Sequence, residues 1–249
     1  MSIDQCDWPR SCNPLTPQDG DVHVWCISLI ATSSDYEDLF SILSPDEQER
    51  ARRYRFDKDR HRFVSCRGRV RMILASYLDE SANLIQFEYS SFGKPSLAGP
   101  WADSKLEFNV SNSGEIGLFA ISNGRQLGVD IEHIRPLSDL WGFAKRYFAE
   151  PECKVLENSD EDQLLLRFFE CWTRKEAILK ATGNGLQISP ERLVVTLGKQ
   201  PPALVSSSDP RLNCIESWWL HAMQPTSKYV AALALPSGAA TINKWQWNI

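Results

Sequence analysis

Sliding the chain against itself by 105 positions lays Arg62, Phe63, Cys66, Arg69, Ile73 and Leu74 on Arg167, Phe168, Cys171, Arg174, Ile178 and Leu179. The same offset lays Val24, in an apolar β-rich segment, on Val129 in another. One strand and one helix repeating in register point to a duplicated α+β unit, because a period this long is not that of a solenoid. The chain therefore reads as two similar halves, residues 1–124 and 125–249, meeting near Asn123-Gly124. A seam between such halves is a usual place for a ligand.

Local signals fill in the unit. Val22–Ile30 reads as a strand. Ser44-Pro45-Asp46-Glu47 carries an N-cap serine, a proline at the first helical position and a glutamate three residues on, the pattern of a capping box. A second helix is expected from about Asp59 to Leu78, with Phe63, Cys66, Val70, Ile73, Leu74 and Tyr77 on one apolar stripe. Leu106–Val110 and Ile116–Ser122 read as strands. Asn123-Gly124 predicts a tight hairpin into a strand over Gln126–Ile134, since both residues tolerate positive φ. Helices are expected at Asp139–Tyr147 and at Asp160–Thr182, the latter stopped by Gly183. A short helical start at Ser189-Pro190-Glu191 and strands at Trp218–His221 and Lys228–Leu235 follow.

Composition removes other classes. The 249 residues carry a net charge of −5 with 43% hydrophobic residues, which excludes a disordered, collagenous or coiled-coil chain. No apolar run approaches the ~20 residues of a membrane span. Met1–Pro17 lacks the basic and apolar regions of a secretory signal, so a cytoplasmic protein is expected. Seven cysteines without a C-x-x-C pair are expected to be free thiols. The four histidines (23, 61, 133, 221) show neither metal spacing nor a dyad partner. Charge is unevenly spread: Arg50–Arg71 holds ten Arg and Lys against Asp57 and Asp59. Such a block suits an anionic partner, although a solvated helix face accounts for most runs of this kind.

Two segments carry candidate chemistry. In Gly128-Val129-Asp130-Ile131-Glu132, period-two alternation sends Asp130 and Glu132 to one face and Val129 and Ile131 into the core. Paired carboxylates repel unless a proton or cation lies between them, and carboxylate oxygens suit Mg2+. Alone, a D-x-E pair is weak evidence. In the long helix, Trp172, Glu176 and Lys180 are four apart and share a face, with Lys175 on its flank. An exposed Glu–Lys pair would explain two of these residues, but the size of Trp172 argues against a merely solvated stripe.

Gly128–Glu132, together with Trp172–Leu186 in the form W-x-x-K-E-A-x-x-K-x-x-G-x-G-L, resembles the two signature motifs of 4'-phosphopantetheinyl transferases of the surfactin-synthetase-activating (Sfp) type. Gly93-Lys94-Pro95 and Phe108-Asn109-Val110-Ser111-Asn112-Ser113 match two weaker family elements in the expected order. The resemblance spans roughly Ser44 to Leu186 and leans towards cyanobacterial members. It implies a pseudo-dimer of two α+β halves with the active site at their interface. The implied activity is transfer of the 4'-phosphopantetheine arm of coenzyme A to a serine of an apo acyl or peptidyl carrier protein, releasing 3',5'-ADP. It also implies Mg2+ held by Asp130, Glu132 and Glu176, with Glu176 as general base and Lys180 at the leaving phosphate. Lys175 would contact phosphate. Arg50 would face the 3'-phosphate or adenine, and Lys94 the nucleotide, while Asn109 and Ser111 would fix phosphate oxygens. A monomer acting on fatty acid, polyketide or nonribosomal peptide carriers is expected, with no nucleic acid and no membrane.

The chain departs from the family at Asn112, where F-N-x-S-H-S has histidine. Asparagine donates a hydrogen bond but brings no charge, so a weaker preference for coenzyme A over its 3'-dephospho form is expected. Two other readings remain at this point: a non-catalytic coenzyme A or nucleotide binding module, and a Mg2+-dependent nucleotide phosphohydrolase. Three carboxylates plus Lys180 argue against pure binding, which needs no base.

Overall fold

The computed structural model describes residues 6–12, 17–91, 93–183, 187–212, 216, 218–236 and 238–247. Before the seam the chain forms strands β1 (Arg10–Ser11) and β2 (Asp21–Ser28), helices α1 (Ser33–Ser41), α2 (Pro45–Arg52) and α3 (Asp57–Leu78), and strands β3 (Phe87–Tyr89), β4 (Pro95–Leu97), β5 (Leu106–Ser113) and β6 (Ile116–Asn123). After it come β7 (Gly128–His133), α4 (Leu140–Tyr147), α5 (Glu150–Glu157), α6 (Glu161–Thr182), β8 (Leu193–Val195), β9 (Leu204–Ser207), β10 (Trp219–Met223), β11 (Tyr229–Leu235) and β12 (Thr241–Trp247). Helices α1 and α5, and strand β12, were not foreseen.

The duplication is visible in the topology. The first sheet contains the antiparallel order β2-β6-β5 and the second the order β7-β11-β10. In each half a 22-residue helix, α3 or α6, lies between the first strand and the other two in sequence. Strand alternation then builds layers. Val22, Val24 and Cys26 of β2 meet Val129 and Ile131 of β7 and Leu233 of β11 in a shared core between the sheets. The opposite faces carry Trp25 and Ile27 towards α3, and Val230 and Ala232 towards α6. The result is helix, sheet, sheet, helix, an arrangement that buries both faces of each sheet.

Two features separate this fold from a simple tandem. The Asn123-Gly124 turn does not make the expected hairpin: β6 pairs with β2 and β5, whereas β7 pairs with β11. Only Gly124 adopts positive φ (69°), and its N–H bonds the carbonyl of Lys105, so the turn redirects the chain into the second sheet. Strand β12 crosses back and pairs in parallel with β2, so the first sheet is completed by the second half.

The expected caps are present. The Ser44 N–H donates to Glu47 Oε2 at 3.1 Å, and α6 ends at Gly183 with φ 69°. Gly185 and Leu186 of the motif lie outside the described residues. The six described cysteines are free, and Cys214 lies outside them. Among the described residues no helix is long and apolar enough to cross a membrane.

Candidate active site

The approach of β7 to α6 is set by a missing side chain. A Cβ at Gly128 would collide with the backbone carbonyl of Ala177 and the backbone nitrogen of Ala181, so only glycine lets strand and helix backbones touch there. That contact places the carboxylates of the next residues under the last turns of α6.

Lys180 Nζ donates to Asp130 Oδ1 at 2.6 Å and to Ser111 Oγ at 2.8 Å, and the Ser111 hydroxyl donates to the same Asp130 oxygen at 2.7 Å. Glu176, one turn before Lys180, has its carboxyl pushed up to about 7, first by burial and then by Asp130, with Glu132 adding to the effect and Lys180 opposing it. Glu132 accepts from the Ser113 hydroxyl at 2.7 Å and from exposed Arg135 at 3.4 Å. Asp130, Glu132, Glu176 and Lys180 thus stand in one electrostatic neighbourhood at the seam.

Lys175 does not join them, and its expected phosphate contact is corrected. Five residues before Lys180, it lies about 140° around the helix. Its side chain is fully buried, paired with Glu152 at 2.6 Å and donating to the carbonyls of Pro190 and Leu193. Glu152 in turn accepts from the N–H groups of Ala149 and Val195. A saturated buried pair of this kind ties α5 and the segment after α6 to the helix. Trp172 packs edge-on against Phe143 and Tyr147, as its size required.

The other wall comes from the first half. A 510 Å³ cleft is lined by Arg50, Arg62, Phe63, Arg67, Gly93 and Asn112, among others. Gly93, Pro95 and Val110 also line a 190 Å³ cavity that reaches Lys94, Lys180 and Gly183. The two spaces therefore adjoin along Gly93, Pro95 and Val110. Arg50 stacks over Phe63, its guanidinium carbon 5.1 Å from the ring centroid. Its helix is held to α3 by buried Glu47, which pairs with Arg71 at 2.7 Å and Arg67 at 3.3 Å. Part of the basic block is thereby internal rather than solvated.

Lys94 faces this space but spends its ammonium on the seam, donating to the carbonyls of Lys180 at 3.0 Å and Leu127 at 3.2 Å. Burial lowers its pKa. Asn109 is buried, with Oδ1 accepting the N–H of Val129 at 2.9 Å. Asn112, the exposed residue near the end of β5, opens into the cleft. Three contributors were not singled out from sequence: Arg62 and Arg67 in the cleft, and Ser113 on Glu132. The alternation of Asn109, Ser111 and Ser113 was a readable signal for the last.

The residues fit a hard divalent cation in chemistry. Asp130 Oδ2 and Glu176 Oε1 are buried with no hydrogen-bond partner, an arrangement that costs free energy unless a cation or proton satisfies it. As placed, no three acidic, histidine or cysteine side chains among the described residues close into a ready cage, and the ammonium of Lys180 is the cation resting on Asp130.

Comparison with known proteins gives the family. The 4'-phosphopantetheinyl transferase superfamily model matches residues 126–234, and the 4'-phosphopantetheinyl transferase N-terminal model matches residues 30–123. The chain belongs to the 4'-phosphopantetheinyl transferase family. Among its relatives, 4'-phosphopantetheinyl transferase HetI of the cyanobacterium Nostoc sp. is 39% identical over 231 residues, covering 93% of this chain and 94% of that protein. 4'-Phosphopantetheinyl transferase Sfp of Bacillus subtilis is 28% identical over 183 residues, covering 74% of this chain and 79% of that one. A solved holo-ACP-synthase from Plasmodium yoelii is 20% identical, with a TM-score of 0.36, over 44% of this chain and 91% of that one.

Proposed function

We propose that this protein transfers 4'-phosphopantetheine from coenzyme A to the serine of an apo carrier protein, releasing 3',5'-ADP, and that it does so with Mg2+ at Asp130, Glu132 and Glu176. The observation that carries the reading is the basic cleft lined by Arg50 and Asn112 beside a cavity that reaches Lys180, whose ammonium rests on Asp130. A nucleotide phosphate lodged among Arg50, Arg62 and Arg67 would be held by charge-assisted hydrogen bonds. Its pyrophosphate would then lie towards Lys180.

Bound at the three carboxylates, Mg2+ would offset charge developing on the phosphoryl oxygens. The remaining work falls to the chain. Glu176, on the helix face next to Asp130 and Lys180, is placed to take the proton of the incoming serine hydroxyl as its oxygen attacks the pantetheine phosphorus. The phosphoanhydride bond breaks as the ester bond forms, and the electron pair leaves on the 5'-phosphate of 3',5'-ADP. Lys180 is placed to stabilise that charge, exchanging Asp130 for the departing oxygen. Ser111, already bonded to both, would keep the ammonium aligned.

Family membership supports the reaction class, and the orphaned oxygens of Asp130 and Glu176 support the ion. The cytoplasm, a monomeric state and an acidic carrier steered by the exposed members of Arg50–Arg71 complete the reading. The test is incorporation of labelled pantetheine into an apo carrier domain with coenzyme A. Incorporation that requires Mg2+ and is lost in Asp130→Ala and Glu176→Ala is expected. Release of phosphopantetheine without a carrier would favour a phosphohydrolase instead.

A further inference from the structure

Strands β5 and β7 lie edge to edge, yet they belong to different sheets and share no backbone ladder. β7 spends one edge on β11. Its other edge would present a row of unpaired N–H groups, and β5 meets that row with side chains. Asn109 Oδ1, Ser111 Oγ and Ser113 Oγ accept from the N–H groups of Val129, Ile131 and His133 at 2.9, 3.4 and 3.1 Å. Each acceptor lies 20 residues before its donor, so alternate positions of one strand engage alternate positions of the other.

The two serines do more than the asparagine. A hydroxyl that accepts an N–H still has its own proton to donate, and here both protons go to carboxylates: Ser111 to Asp130 Oδ1 and Ser113 to Glu132 Oε2, each at 2.7 Å. Asp130 has Lys180 as a second holder. Among the described residues, Glu132 has as its cationic partner an exposed arginine, Arg135, at 3.4 Å, an interaction worth little in solvent.

We propose that Ser113 is the positioning residue for Glu132: its hydroxyl, fixed by the His133 N–H, pins one carboxylate oxygen against β5 and leaves the other as the ligating atom. The first half of the chain thereby sets the geometry of an ion site whose ligands all belong to the second. This inference rests on the Mg2+ reading above. Outer partners of ligating carboxylates tune affinity, and their loss costs about 10–100-fold.

Mn2+ serves as the probe ion, its binding measured by electron paramagnetic resonance on the full chain in wild type, Asp130→Ala, Ser113→Ala, Ser113→Cys and Ser113→Thr. Ser113→Ala and Ser113→Cys are expected to weaken Mn2+ roughly 10–100-fold, while Ser113→Thr, which keeps the hydroxyl, stays within about threefold. Thermal midpoints in EDTA should stay near wild type. Wild-type Mn2+ affinity in Ser113→Ala, or equal loss in the threonine variant, overturns the proposal. Should Ser113→Ala not fold, the near-isosteric cysteine variant gives the same reading. Failure of wild type to bind Mn2+, or unchanged binding in Asp130→Ala, would instead remove the metal site itself and this inference with it.

Discussion

Lys180 Nζ stands 2.6 Å from Asp130 Oδ1, while Lys175, five residues earlier on the same helix, is 2.6 Å from Glu152 on the far side. Two similar lysines in one motif therefore do different jobs, one holding charge at an open cluster and the other neutralising a buried carboxylate.

The two should separate experimentally. Lys180→Met is expected to lower kcat by about 10²–10³ and, because Lys180 is partly exposed, to cost less urea stability than Lys175→Met. Lys175→Met, which leaves Glu152 buried without its partner, is expected to cost about 3–5 kcal/mol of stability. Steady-state kinetics beside urea denaturation decides this, and a wild-type denaturation midpoint for Lys175→Met would refute the assignment.

Glu176 gives a pH signature in the metal-free protein. Its folded pKa, about 7, lies above its ordinary 4.5, so between those values the folded state binds the extra proton. Stability from this group is full below about 4.5 and falls as pH rises through 7, by roughly 3 kcal/mol in all. Glu176→Gln should flatten that part of the profile in EDTA. Parallel wild-type and variant profiles would show that the carboxyl is not raised.

Asn112 opens into the cleft that Arg50, Arg62 and Arg67 also line. Replacing it with histidine adds a titratable cation there. Asn112→His is expected to widen the kcat/KM preference for coenzyme A over 3'-dephospho-coenzyme A by roughly tenfold, more at pH 6 than at pH 8 because imidazole is then charged. No change at either pH would place the 3'-phosphate elsewhere.

Gly128 is expected to tolerate nothing larger. Because a Cβ there meets the backbone of Ala177 and Ala181, neither neighbour can yield by rotating a side chain. Gly128→Ala should cost about 3 kcal/mol or more, and Gly128→Val should yield little folded protein. Circular dichroism melts test both. Gly124→Ala, where nothing crowds the Cβ but φ is 69°, should cost only about 1 kcal/mol.

Much of this was legible in the sequence because it is local or repeated. Apolar patterning placed β2 and β7, and α3 and α6, to within a residue or two, and the shared residues at one offset matched them in pairs. Ser44 and Glu47 marked the start of α2, and Gly183 the end of α6. Spacing of four placed Glu176 and Lys180 together, whereas adjacency misled for Lys175, since neighbours on a helix are about 100° apart. Asn123-Gly124 announced a turn but could not say which strands it would join, because pairing partners are a tertiary choice. Helix α1 carried its own capping box, Thr32 with Asp35, and was missed although the signal was there. That Lys94 would reach across to the carbonyl of Lys180 depends on packing of the halves and has no local trace.

Strand β12 gives the molecule a dependence on synthesis order. Thr241 pairs with Asp21, so the first sheet contains a partner about 220 residues downstream, a very high contact separation of the kind that slows folding. The first half cannot finish its sheet as it leaves the ribosome and must wait, with an edge of β2 open, until most of the second half has emerged. Severing the chain between residues 124 and 125 would therefore not give two independent lobes, and re-associating the pieces would need β12 to find β2 by threading between β1 and β2.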